Sequence, residues 1–268
     1  MLSSPRSSPR PIRRQSLRQE YEEFVLQRIE EYKEQLSRHE LLGIADEAVR
    51  ELELGSAEQL LLTEVLLLEH VDRLIVRRLK LPSFRRWRQR HVKLREAQRE
   101  IAYWRVDAGA TLQELALRLD ESDSALIVGA RAAAAGFYMA AHDWPVLVID
   151  SELRAVEAVE QRAAKEELSS RVQALVVTIG NWFPDVNPTL VVLDPTALAA
   201  IEATRRSAAI DTLKARTRSG GIHCVLALER TDGVIPLALE TVLERYSDWW
   251  VQRIRADRAS SGFRAVKP

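Results

Sequence analysis

Ser124-Ala125-Leu126-Ile127-Val128-Gly129, then the small-residue run Ala130-Arg131-Ala132-Ala133-Ala134-Ala135-Gly136 and, about 20 residues past the glycine, Val146-Leu147-Val148-Ile149-Asp150 decide how this chain folds. Each apolar run is short, unbroken and closed by a turn-forming residue. A strand with one wet face would alternate apolar and polar residues, whereas a strand buried on both faces reads as these do. The pattern recurs at Val172 to Val177, Leu190 to Leu193 and Ile222 to Leu228, with stretches of helical period between most of them. Strands that alternate with helices predict a mostly parallel sheet covered on both sides. Trp249 to Ile254 and Phe263 to Val266 have no helix between them, which predicts an antiparallel hairpin on the edge and a seven-stranded sheet in all.

In such a sheet ligands bind outside the carboxyl ends of the strands, where the first turn lets backbone approach and an acid ending the second strand accepts hydrogen bonds from a ribose. Gly129 and Asp150 hold those two places. The same pair has a structural reading, since any parallel α/β domain has a glycine after one strand and some acid after the next.

The order of motifs adds to this. Leu126-Ile127-Val128-Gly129-Ala130-Arg131-Ala132-Ala133, running on to Ala140, resembles the first motif of class I S-adenosylmethionine (SAM) methyltransferases, a strand ending in a Gly-x-Gly-x-Gly turn before a small-residue helix. Val148-Ile149-Asp150-Ser151 and the helix to Ala164 are similar to the second motif. Leu190-Val191-Val192-Leu193-Asp194 resembles the fourth strand, and Arg218-Ser219-Gly220-Gly221 the turn that feeds the fifth. Leu243, Tyr246 and Trp249, ahead of Arg253 to Arg258 and Phe263 to Pro268, look most like the tellurite-resistance-type branch of small-molecule methyltransferases. The resemblance implies a Rossmann-like fold over residues 109–268 and SAM-dependent methyl transfer to a small molecule. Carried over position by position, it implies a cofactor-lining set of Gly129, Ala130, Arg131, Ala133, Asp150, Ser151, Asn181 and Asp194. No catalytic residue is assigned, because methyl transfer is an in-line displacement served mainly by positioning.

Two departures bear on the cofactor. Arg131 and Ala133 stand where the family has its second and third glycines, which exist so that the chain can lie against the methionine end. An arginine there either fills the cofactor volume or swings out and offers a guanidinium fork to a carboxylate or phosphate. After the third strand Val177-Thr178-Ile179-Gly180-Asn181 supplies no acid for the adenine, leaving Asn181 as the substitute. The competing expectation is therefore a methyltransferase-fold module without cofactor, structural or engaged with a partner chain or nucleic acid. Asp194-Pro195-Thr196-Ala197 begins like the Asp-Pro-Pro-Tyr signature of amino methyltransferases but lacks its second proline and aromatic.

Ahead of the α/β region the chain reads as helix. Tyr21, Phe24, Val25, Ile29, Tyr32 and Leu36 share one face of a first helix that starts at Gln19, with Glu22, Glu23, Glu30, Glu31 and Lys33 on the other. A second helix runs from Leu41 to Leu54, and Ser56-Ala57-Glu58-Gln59 has the form of a capping box opening a third to Lys80. Pro82 breaks that helix, and a fourth follows from Ser83 to Glu100. The first 18 residues, with five Arg, five Ser and no acid, predict a disordered basic tail, with a transit segment as the alternative. The expected organisation is thus a tail over residues 1–18, an all-helical region over 19–108 and a Rossmann-like domain over 109–268.

Composition excludes several classes. Lys plus Arg number 39 and Asp plus Glu 39, so no net field draws the whole chain to nucleic acid or membrane. A single cysteine, Cys224, rules out an internal disulfide and a Cys-based metal site, and fits a reducing, cytoplasmic compartment. The apolar stretch from Leu60 to Leu68 is broken by Thr63 and Glu64 and is far short of the ~20 residues of a spanning helix. The five histidines have no metal-ligand spacing, and neither a Gly-x-Ser-x-Gly elbow nor a Gly-Lys-Ser/Thr loop occurs. Arg73 to Arg99 holds eleven Lys or Arg against one acid, Glu96, with Phe84 and Trp87 among them. Such a strip suits phosphates and stacked bases, or is a solvated face neutralised by the Glu-rich first helix.

Overall fold

The computed structural model describes residues 16–55, 64–106, 109–117, 123–199, 201–226, 237–255 and 261–268. The chain divides into two compact units, a helical one ending at Lys93 and an α/β one beginning at Leu94.

The helical unit opens with α1 (Leu17–Gln35), which starts two residues earlier than expected because Ser16 and Gln19 form a capping box. The Ser16 hydroxyl accepts the Gln19 N–H, and the Gln19 side chain accepts the Ser16 N–H, so the last residues assigned to the tail are helix and its cap. Ser37 and Glu40 make the same reciprocal pair at the start of α2 (Arg38–Gly55). The capping box expected at Ser56 to Gln59 lies outside the described residues. Helix α3 (Glu64–Arg78) and helix α4 (Phe84–Gln98), the latter begun after Pro82, follow. Ile29, Ile44, Ala48, Leu74 and Ile75 form one buried core of this unit. Tyr21, Phe24, Phe84 and Trp87 form an aromatic cluster, with His91 stacked on Trp87 at 4.4 Å. His91 Nε2 also lies 3.1 Å from Glu20 Oε2, both groups being buried.

The α/β unit begins with α5 (Ile101–Trp104) and α6 (Gly109–Ala116), the second of which the sequence reading missed. The strands are β1 (Ala125–Val128), β2 (Val146–Asp150), β3 (Val172–Val176), β4 (Leu190–Leu193), β5 (Ile222–Leu226), β6 (Trp250–Arg255) and β7 (Ser261–Val266). They form one seven-stranded sheet in the order β3-β2-β1-β4-β5-β7-β6, with β1 to β5 parallel and β7 antiparallel to both β5 and β6. The expected edge hairpin is present, its second strand being the one that joins the sheet. Helices α7 (Ala133–Ala141) and α8 (Leu153–Lys165) pack with α5 and α6 on one face, where Ile127, Val148 and Val192 point. Helices α9 (Thr196–Ala199), α10 (Ala203–Arg216) and α11 (Leu239–Leu243) cover the other, where Leu126, Leu147 and Val191 point. This is a Rossmann-like doubly wound sheet, and its direction of winding reverses between β1 and β4. Among the described residues, no helix is long and apolar enough to cross a membrane and no cluster of metal-ligating side chains occurs.

Candidate functional site at the reversal of the sheet

Register fixes the site. Val128 lies opposite Ile149 on one side and Leu193 on the other, so Gly129, Asp150 and Asp194 emerge together at the carboxyl edge. Gly129 turns the chain with φ 98°, a value that favours glycine, and its N–H donates to the Ile149 carbonyl at 2.9 Å. A side chain here would also collide, since a Cβ would sit 3.0 Å from the Cβ atoms of Asp194 and Ala197. The glycine therefore lets the turn after β1 rest on the turn after β4.

Asp150 closes the other side. Its Oδ2 accepts the Ala130 N–H at 2.7 Å and its Oδ1 accepts the Glu152 N–H at 2.9 Å. The carboxylate thus holds the first turn against the end of β2. A carboxylate has about four acceptor positions, so two remain beyond these bonds. Ser151 is exposed beside it.

Arg131 reaches the opposite way. Its Nη1 donates to Thr196 Oγ1 at 3.1 Å and stands 3.8 Å from Asp194 Oδ2, with about a third of the side chain exposed (32%). Asp194 is 1% exposed and committed locally: its Oδ1 accepts the Thr196 N–H at 2.9 Å and its Oδ2 accepts the Thr196 hydroxyl. Asp194-Pro195-Thr196 is an Asx turn that opens α9 and presents a hydroxyl to Arg131. Thr196 was the member of the site that sequence reasoning left without a role, although the Asp-x-Thr spacing was its signal.

The other expected residues fall differently. Ala130 is half-buried in the turn. Ala133, expected to intrude on the cofactor, is 4% exposed and packs with Ala132 and Ala135 into the core beneath α7. Asn181, after β3, accepts at its Oδ1 from Arg205 of α10 at 3.1 Å, while the neighbouring Gly180 packs on Ile201.

Two buried groups outside the site invite chemistry but have structural roles. His223 lies on β5, wholly buried, with Nδ1 2.7 Å from the Tyr246 hydroxyl and Nε2 2.6 Å from Thr217 Oγ1. The Thr217 hydroxyl donates to the Leu213 carbonyl at 2.7 Å, so it accepts from Nε2–H, and Nδ1 accepts from Tyr246. Desolvation, helped by Lys214 and Lys267, pushes the imidazole down to about 3, so it is a neutral ring bridging β5 and α10. Burial likewise pushes the Cys224 thiol up to about 12, which leaves no reactive thiolate at neutral pH.

No family model matches the chain, and no curated protein matches it. Among solved structures it is similar to the N-methyltransferase NodS from Bradyrhizobium japonicum WM9, at 20% identity over 68% of this chain and 96% of that one, with a TM-score of 0.45. A SAM-dependent O-methyltransferase from Thermotoga maritima matches at 16% identity over 60% and 64% of the two chains, with a TM-score of 0.46. TehB from Haemophilus influenzae matches at 16% identity over 55% and 58%, with a TM-score of 0.41. At this level of likeness the fold rests on the strand order itself.

Proposed function

We propose that the α/β unit binds SAM at the reversal between β1 and β4 and transfers its methyl group to a small molecule. The observation that carries the reading is the convergence of the first turn on the acid ending the second strand, Ala130 N–H to Asp150 Oδ2 at 2.7 Å. Two acceptor positions of Asp150 stay open for a pair of ribose hydroxyls, and Gly129 gives the backbone approach that an adenosyl ligand requires. The nucleoside side of the ligand fits these residues. When bound, the sulfonium supplies the methyl group, and the protein's part is to hold acceptor and donor in line.

The methionine side meets Arg131. Released from Thr196, its guanidinium forms a fork suited to the ligand's carboxylate; held there, it bars that end of the crevice. The second reading, a methyltransferase-fold module without cofactor, draws its support from this Arg131 to Thr196 bond.

Thermal unfolding of the full chain with SAM or S-adenosylhomocysteine separates the two. A ligand that binds only the folded state stabilises it by about 2.7 kcal/mol at 100 times its Kd, so the melting temperature should climb with ligand concentration. Asp150→Ala should abolish the climb. If the wild-type chain is silent at millimolar ligand and Arg131→Gly responds, the arginine is a plug; silence in both refutes the enzyme reading.

A further inference from the structure

The helical unit contains a cationic surface that the proposed chemistry does not use. From Lys80 to Gln98, the end of α4, the sequence holds seven basic residues and one acid, Glu96. On α4 the residues Arg85, Arg86, Arg88, Gln89, Arg90 and Lys93 are all exposed, whereas Trp87 and His91 are buried. At 100° per residue Arg85, Arg86, Gln89 and Lys93 fall within one third of the helix circumference, and the run extends about 12 Å along its axis. The opposite face is the aromatic one, closed against Tyr21 and Phe24 of α1.

Neutralisation by the Glu-rich first helix, the expected fate of this charge, reaches α4 at His91, beside Glu20, but leaves part of the strip without an acid. Glu22, Glu30 and Glu31 pair with Arg18, Lys33 and Arg28 of α1 itself. Glu47, Glu51 and Glu69 pair with Arg78, Arg77 and Arg73. Among the described residues Arg85, Arg86, Arg88 and Lys93 have no carboxylate within ion-pair distance. Nor are the aromatics available to stack on bases, since Trp87 is 1% exposed and Phe84 lies in the cluster, its ring covered by the guanidinium groups of Arg18 and Arg88 at 5.3 and 6.0 Å.

We propose that the outward face of α4 binds the phosphate backbone of duplex nucleic acid without reading its sequence. Single strands are held by stacking on exposed aromatics, which this face lacks, and a membrane-surface helix inserts an apolar face, which α4 has already buried on α1. What the surface offers is a row of point charges and guanidinium forks, the equipment for phosphate contacts that fix position and carry no sequence information.

Fluorescence anisotropy with a labelled 20-base-pair DNA duplex and the full chain tests this. Three phosphate contacts, from Arg85, Arg86 and Lys93, predict a loss of affinity of about 40-fold between 50 and 200 mM salt, from a slope of roughly 0.9 per contact. In R85Q/R86Q, whose folding is checked by circular dichroism, the loss should fall to about 3.5-fold and binding at 50 mM salt should weaken at least tenfold. No binding by the wild-type chain at 50 mM salt overturns the proposal, as does an unchanged salt slope in R85Q/R86Q. So does equal or tighter binding, through the same residues, to polyglutamate, to a single-stranded 20-mer or to phosphatidylserine vesicles.

Discussion

Replacing Gly129 with alanine probes the geometry that brings the two turns together. The substitution forces a side chain onto φ 98° and sets its Cβ 3.0 Å from two others, Asp194 Cβ and Ala197 Cβ. The backbone strain is of order 1–3 kcal/mol, and overpacking costs a further ~1–3 kcal/mol. Neither neighbour is the free end of a flexible side chain, so relief requires the turn after β4 to move. The expected loss is roughly 2–6 kcal/mol in urea unfolding followed by tryptophan fluorescence, with little change in slope. Gly220 supplies the control, because it too has a positive φ, 72°, but a Cβ there meets nothing within 4 Å. Gly220→Ala should therefore show the strain alone, about 1–2 kcal/mol. If Gly129→Ala proves no more harmful than Gly220→Ala, the close approach of the first turn to Asp194 and Ala197 is wrong.

His223 should make stability fall on acidification. Its folded value lies near 3 against an ordinary 6.5, so between those values the unfolded chain binds a proton that the native one refuses, and stability drops as pH falls, by up to about 1.4 kcal/mol per pH unit. Equilibrium unfolding from pH 7 to 4 should show this slope in the wild-type chain and a shallower one in His223→Gln; equal slopes would count against the buried neutral imidazole. Lys267 donates to the carbonyls of Lys214, Ala215 and Thr217 at 2.8, 3.2 and 2.6 Å, at the C-terminal end of α10. Lys267→Met should lower stability by about 1–2 kcal/mol, read as a drop in melting temperature, and no drop would remove its role as a helix cap. Gly136 sits within α7, where a Cβ would lie 2.9 Å from Ile127 Cγ1, so Gly136→Ala should destabilise despite its better helix propensity, and stabilisation would show that α7 packs less closely on β1.

The fold was legible because its strands are apolar on both faces. Ala125–Val128 and Leu190–Leu193 were bounded to the residue, and the Rossmann-like architecture followed from the resemblance carried by the order of motifs. Boundaries failed where capping chemistry decided them, as at Ser16, whose partner Gln19 was read as the helix start rather than as the third residue of a capping box. Helix α6 was missed because its eight residues, Gly109–Ala116, carry too little periodicity to separate them from a linker. At the site the positions of Gly129 and Asp150 were readable, since each is dictated by a strand end. The direction of a side chain was not: Ala133 turns into the core and Arg131 spans to Thr196, and both depend on how the first turn coils before α7. The identity of Arg131's partner came from a segment 65 residues away, which no local pattern encodes.

The most direct test of the nucleoside site at the reversal of the sheet is an amide-resolved titration of the 15N-labelled full chain with S-adenosylhomocysteine. Occupation of the crevice predicts concentration-dependent shifts centred on the amides of Gly129, Ala130 and Glu152, and loss of those shifts in Asp150→Ala. Saturating ligand that leaves these three amides unmoved in both the wild-type chain and Arg131→Gly would contradict the account.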